Sequence, residues 1–273
     1  MSLTDITLTL RRRMLDVLVK TKGGHIGGSL SAAEIYTALY FGGVLRYRPE
    51  EPDWSERDRF VLSKGHASLG LFCTLAAAGF FSETELDSYT LPGSRLGGHP
   101  KRDEVPGVEA STGALGHGFP FAGGIALAGQ LDERDYRVYC LLGDGECQEG
   151  SVWEAAMFAA QQRLGNLVAI VDYNKLQAMD QLTKIVDLAP FAEKWRSFGW
   201  DVQEVDGHDL GALINILNIP RQGREKPLCV LAHTVKGKGI SYMENQPLWH
   251  VRVPNDEERK IAEAELAAAG EVQ

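Results

Sequence analysis

Arg137-Val138-Tyr139-Cys140-Leu141-Leu142 is a hydrophobic run closed by Gly143-Asp144-Gly145, and Leu167-Val168-Ala169-Ile170-Val171-Asp172 is a second, followed by Asn174. Asp144 and Asn174 are thirty residues apart, and a helix-patterned stretch from Ser151 to Arg163 lies between them. The pattern predicts a strand-helix-strand unit with one oxygen ligand just beyond the carboxyl end of each strand, where parallel sheets bind their ligands. A carboxylate and a carboxamide so placed suit Mg2+ or Ca2+, hard cations that prefer oxygen and leave positions for a ligand's phosphates. The glycines beside Asp144 allow a sharp turn and a close approach by such a ligand.

With that spacing the chain resembles the thiamine diphosphate enzymes, and within them the transketolase family. Gly143-Asp144-Gly145-Glu146-Cys147-Gln148-Glu149-Gly150 matches the family's form of the motif. Further similar blocks are Leu62-Ser63-Lys64-Gly65-His66-Ala67, Gly97-Gly98-His99-Pro100, Thr112-Gly113-Ala114-Leu115-Gly116-His117-Gly118 and Thr234-Val235-Lys236-Gly237-Lys238-Gly239. They span residues 23 to 250 but only the first of the family's three domains, the one that holds the cofactor diphosphate.

The resemblance implies a site residue by residue. Asp144, Asn174 and the backbone carbonyl of Leu176 become the metal ligands. Lys64, Lys236 and His250 become contacts of the diphosphate, with the Gly145 amide, Glu146 and Asn174 beside them. Gly113, Ala114 and Leu115 become the loop against the aminopyrimidine, Leu115 as its apolar wall. Five of the seven histidines directly follow a glycine, namely His25, His66, His99, His117 and His208. By resemblance His25, His66 and His99 line the channel over the thiazolium ring, where they orient hydroxyls and move protons. Glu149 becomes an acid at the subunit interface, although a Glu at a helix start is also favourable for dipole reasons alone. His208, in an Asp206-Gly207-His208-Asp209 turn, reads as structural, and His117 stands where many transketolases have glutamine. The family's usual Trp-His-Gly is Trp249-His250-Val251 here, which puts a β-branched residue where glycine is expected.

Composition bounds the rest. The chain has 273 residues without a linker, a repeat or a low-complexity stretch, and one domain over 1–273 is expected. A net charge of -9 argues against nonspecific binding to nucleic acid or an anionic membrane. Cys73, Cys140, Cys147 and Cys229 lack CxxC spacing, which argues against a disulfide framework or a zinc site and suits a reducing, cytoplasmic setting. No apolar run reaches membrane-spanning length, and the first residues do not read as a signal peptide.

Along the chain we expect helices over about 5–20, from Ser31 to Phe41, from Gly65 to Ala78, over 119–131, 151–163, 191–198 and 210–217, and from Asn255 to Ala269. Strands are expected at 60–62, 202–205 and 228–233 besides the first two. Ser31-Ala32-Ala33-Glu34 and Ser82-Glu83-Thr84-Glu85 carry the capping-box pattern, Gly23 to Gly28 reads as a loop, and Thr90 to Gly113 as a long ordered one. Strands alternating with helices imply an α/β, doubly wound parallel sheet, the thiamine-diphosphate-binding fold by resemblance.

The expected activity is transfer of a two-carbon ketol unit from a ketose, phosphorylated or otherwise anionic, to an aldose, with thiamine diphosphate and Mg2+. The family's pyrimidine-binding and carboxyl-terminal domains, with the glutamate that activates the cofactor, are expected on a partner chain in an α2β2 assembly. The alternatives are the α subunit of a 2-oxo-acid dehydrogenase, which shares the metal motif, and a noncatalytic homologue acting as regulator or scaffold.

Overall fold

A computed structural model describes residues 1–220 and 223–271. Its strands are β1 (Arg59–Leu62), β2 (Val138–Gly143), β3 (Leu167–Tyr173), β4 (Asp201–Asp206) and β5 (Leu228–His233). They form one sheet in the order β1-β2-β3-β5-β4, parallel throughout. The helices are α1 (Leu3–Thr21), α2 (Ile26–Ser31), α3 (Ala33–Tyr40), α4 (Ser68–Ala77), α5 (Gly118–Leu131), α6 (Gly150–Gln161), α7 (Leu182–Ile185), α8 (Phe191–Ser197), α9 (Leu210–Leu217) and α10 (Asp256–Glu271). The doubly wound parallel sheet is as expected.

The central strands are apolar throughout because both faces are covered. Tyr139, Leu141, Val168, Ile170 and Val230 pack with α1, α2, α3, α4, α9 and α10. The residues between them, Val138, Cys140, Leu142, Ala169, Val171 and Cys229, pack with α5, α6 and α8. Pairing of Gly143 with Asp172 across β2 and β3 brings Asp144 and Asn174 to one edge of the sheet. All four cysteines are buried and free. Among the described residues no helix is long and apolar enough to cross a membrane.

Three expectations need correction. The chain from Gly23 to Gly28 is not all loop, since α2 starts at Ile26. Ser31 caps nothing: it ends α2, and its hydroxyl donates to the Gly28 carbonyl and to Asp172 Oδ2 at 2.6 Å. Glu34, its supposed capping partner, turns instead to Arg11 and His208. A buried tertiary acceptor thus outcompetes a local backbone donor. At the second capping pattern Ser82 accepts from the Thr84 amide, but Glu85 pairs with Arg95, and the element is a 3-10 turn over Glu83–Ser88.

Candidate active site

A cleft of about 320 Å3 opens at the carboxyl ends of β1, β2, β3 and β5. Each strand hands over one functional group as it ends: Lys64 after β1, Asp144 after β2, Asn174 after β3 and Lys236 after β5, all lining the cleft.

Asp144 Oδ1 accepts from the Gly145 amide at 2.7 Å, and Oδ2 accepts from the Lys175 amide. Burial, reinforced by the nearby Asp172 carboxylate, pushes Asp144 up to about 7. Asn174 Oδ1 accepts from the Leu176 amide at 3.0 Å, which turns the backbone so that Leu176 also lines the cleft. One carboxylate, one carboxamide and one carbonyl form an oxygen set of low total charge. Such a set fits a hard divalent cation whose remaining charge is met by a diphosphate, and it does not fit zinc.

Two polar atoms support the fit. Gln177 Nε2 and His25 Nδ1 are buried without a partner among the described residues, the first on a residue that lines this cleft and the second on a ring beside it. The backbone also leaves room. A Cβ on Gly145 would come within 2.9 Å of the Gln177 side chain, and one on Gly28 within 3.3 Å of both His66 Nε2 and Lys64 Nζ.

The cations are held in different ways. The Lys64 ammonium is buried, pairs with Asp172 and donates to the Gly28 carbonyl at 2.9 Å, so only its remaining N–H can face the cleft. Lys236 Nζ donates to the carbonyls of Leu176 and Gln177 at 3.3 and 3.2 Å and to His250 Nδ1 at 3.1 Å. Burial, with Lys64 nearby, lowers Lys236 to about 8. Since His250 Nδ1 accepts, its proton sits on Nε2, and burial with the Lys236 charge holds its pKa down to about 3. Val251 has φ −138°, extended backbone open to any residue, so the departure from glycine leaves His250 in the cleft wall.

His25, His66, His99 and His250 form one cluster. Ring centroids are 5.6 Å apart for His25–His66, 5.8 Å for His25–His99, 5.2 Å for His25–His250 and 5.1 Å for His66–His250. Burial, then the His99 and Lys236 charges, lowers His25 to about 4, and burial with Lys64 holds His66 well below its ordinary value. His25, His66 and His250 are therefore neutral near pH 7, each able to give one hydrogen bond and take another. His99 is exposed, and its ring rests on Gly113, where an added Cβ would meet His99 Cδ2 at 2.9 Å.

Gly113, Leu115 and Glu149 line the cleft, while Ala114 joins the two loop residues as their chain neighbour. Leu115 and Glu149 are exposed at its rim. Glu146 also lines it, but its carboxylate is engaged by protein donors: Ser63 Oγ and the Gly116 amide on Oε1, the Gly143 amide on Oε2. It joins three loops of the site to one another. His117 lies outside the cleft lining, bonded through Nδ1 to the Leu115 carbonyl. His208 is structural as expected, its ring fixed at both nitrogens.

Sequence reasoning missed Gln177 and the buried hub around Asp172. That carboxylate is fully buried and accepts from Lys64, Ser31 and Thr234. Burial alone would raise its pKa, and the Lys64 charge with the three donors holds it below the ordinary value. An acid closing an otherwise apolar buried strand was the available signal, because such a charge must be paired.

A family model described as the transketolase thiamine diphosphate binding domain matches residues 3–266. The chain belongs to that family. Among relatives, an apulose-4-phosphate transketolase subunit of Phocaeicola vulgatus is 44% identical over 94% of this chain and 91% of its own length. The 6-deoxy-6-sulfo-D-fructose transketolase subunit SqwG of a Clostridium species is 41% identical over 96% and 94%. A transketolase from Pichia stipitis superposes with a TM-score of 0.91 at 29% identity, covering 97% of this chain and 41% of that one. The present transketolase chain therefore has the extent of relatives named as subunits and spans about two fifths of the solved transketolase. It is a transferase of the transketolase class, and the relatives' subunit names imply a partner subunit.

Proposed function

We propose that this chain is one domain forming the cofactor-diphosphate half of a two-chain, Mg2+-dependent transketolase that moves a two-carbon ketol unit from an anionic ketose to an aldose. The observation that carries the reading is the meeting, in one cleft, of the Asp144, Asn174 and Leu176 oxygens with Lys64, Lys236 and His250, beside a cluster of closely spaced histidines. Bound thiamine diphosphate would supply a nucleophilic carbon able to break the bond beside a ketose carbonyl.

The chain's own groups do the rest. The three oxygens would hold Mg2+, and His250 Nε2 and the free N–H of Lys64 would meet the diphosphate oxygens, with Lys236 giving up one of its three present bonds, such as that to the Leu176 carbonyl, to join them. Gly113, Ala114 and Leu115 would set the cofactor's other ring. His25, His66 and His99, closely spaced, would orient the ketose hydroxyls and hold or release protons there. Glu149 at the rim would face the partner.

Two relatives are named for a sugar phosphate and a sulfo sugar, which favours a donor with an anionic end. The partner's seat is argued from the surface: Phe121 and Leu131 on α5 and Met157 and Phe158 on α6 are exposed, and both helices begin beside the rim residues Leu115 and Glu149. A cytoplasmic setting and an α2β2 assembly complete the reading, the first supported by four unpaired, buried cysteines. The test is a panel of ketose phosphates and sulfonates assayed with the co-expressed pair, alongside Mg2+-dependent thiamine diphosphate titrations of the Asp144→Ala pair. Ketol transfer by the pair, with cofactor affinity abolished in the variant, is expected. Unchanged affinity in a folded Asp144→Ala protein would refute the metal assignment.

A further inference from the structure

His208, set aside as structural, leads to a function outside the cleft. Its Nε2 accepts the Val235 amide at 2.9 Å, and a backbone N–H can only donate. Nε2 therefore carries the lone pair, and Nδ1 carries the proton that it gives to Glu34 Oε2 at 3.0 Å. The same oxygen accepts Arg11 Nη2 at 2.7 Å, and Arg11 Nε donates to the Lys238 carbonyl at 3.0 Å. The chain of contacts thus starts at Val235 and ends at Lys238. Between those two anchors lies Lys236. Gly237 and Gly239, close behind it, have φ 79° and 94°, so this backbone is permissive; the Gly237 amide on the Gly27 carbonyl at 3.0 Å and the Asn245 amide on the Lys236 carbonyl at 2.9 Å hold its middle, and the Arg11–Glu34–His208 chain holds its ends.

We propose that the Arg11–Glu34–His208 chain is the positioning device for Lys236, clamping residues 235–238 at both ends from the far side of the segment. The functional half of this inference rests on the reading that Lys236 faces the cofactor diphosphate. None of the three residues lines the cleft. Arg11 on α1 and Glu34 on α3 are buried, so the clamp ties the helical layer to the cleft wall. His208 is held close by its neighbour: the Gly207 amide donates to the His233 carbonyl at 2.8 Å, and a Cβ there would come within 2.3 Å of Thr234.

The test compares the full chain with His208→Leu, which cannot accept from Val235, and His208→Gln, whose carboxamide can accept from Val235 and donate to Glu34. Amide hydrogen exchange reads the clamp, and calorimetric binding of Mg2+-pyrophosphate reads its consequence. In His208→Leu the Gly237 and Lys238 amides should exchange about tenfold faster, the worth of one buried hydrogen bond, while Val230 and Leu231 in β5 stay protected. Pyrophosphate affinity should fall by about the same factor, and His208→Gln should restore both to within about threefold. Unchanged exchange at Gly237 and Lys238, a rise shared equally by β5, or a loosened segment with full pyrophosphate affinity would each overturn the proposal. A nitrogen spectrum of the unmutated chain adds a reading that needs no variant: a proton on Nε2 of His208 contradicts the clamp. If the unmutated chain binds neither pyrophosphate nor thiamine diphosphate, the diphosphate reading of the cleft fails, and the exchange and tautomer data still decide the clamp.

Discussion

Three imidazoles, His66 and His250 in the cleft wall and His25 beside it, couple folding to acidity. An unfolded histidine titrates near 6.5, while burial lowers His25 to about 4 and His250 to about 3, and holds His66 well below 6.5. At these three rings the unfolded chain binds more protons between those values than the folded one, so acid favours unfolding, an effect that the Asp144 carboxyl at about 7 opposes in part. Their contribution is complete above pH 6.5 and is lost progressively as the pH falls towards 4. Urea midpoints of the chain should therefore drop between about pH 7.5 and about pH 5, and a His25→Gln/His250→Gln double variant should flatten that slope. An unchanged slope would show that the rings are not buried as described. His99 and Lys236 separate by function. His99→Ala in the assembled pair should leave cofactor affinity nearly intact and lower kcat/KM for the ketose by about 1–3 kcal/mol. Lys236→Ala should weaken the cofactor first. Paired titrations of cofactor and donor decide this, and loss of cofactor in His99→Ala would move that ring to the wrong site. The placing of Asp144 and Asn174 at one edge of the sheet was legible in the sequence because their spacing follows from one strand-helix-strand unit. The engagement of Lys64 by Asp172 and of Glu146 by Ser63, Gly116 and Gly143 was not, because most of those partners come from distant segments.

At the level of elements, one carboxylate fastens several together. Asp172 at the end of β3 accepts from Ser31 at the end of α2, from Lys64 after β1 and from Thr234 after β5. Asp172→Asn keeps the shape but leaves the buried Lys64 ammonium without its counter-charge, and should cost about 3–5 kcal/mol in denaturant unfolding. Adding Lys64→Met to that background should recover part of the loss, because the stranded charge is then gone. Strict additivity of the two changes would contradict the pairing. The strands were readable because burial on both faces makes them apolar without interruption, and the helices because their apolar period is plain. The start of α2 at Ile26 was not, since its glycines suggest a loop and its stability comes from packing under α4 and against the 3-10 turn Pro247–His250. The false capping box at Ser31 has the same origin: local pattern cannot see a buried acid far along the chain.

For the whole molecule, the relatives named as subunits and the exposed faces of α5 and α6 lead to one expectation. The purified chain should show no ketol transfer, and addition of the partner should restore it. Robust turnover by the chain alone would end that view. Leu131→Glu with Met157→Glu should weaken association with the partner by at least about tenfold, leave the circular dichroism of the chain unchanged, and be visible by light scattering as a shift from the proposed tetramer to smaller species. Full assembly in that variant would place the interface elsewhere. The apolar face has a consequence for the cell as well. Phe121, Gly124, Ala128 and Leu131 recur at three- and four-residue steps along α5 and all meet solvent. A chain translated without its companion carries that greasy stripe uncovered, so surplus copies are prone to clump or to be degraded. On the proposed assembly, matched dosage of the two polypeptides would help keep this chain in solution.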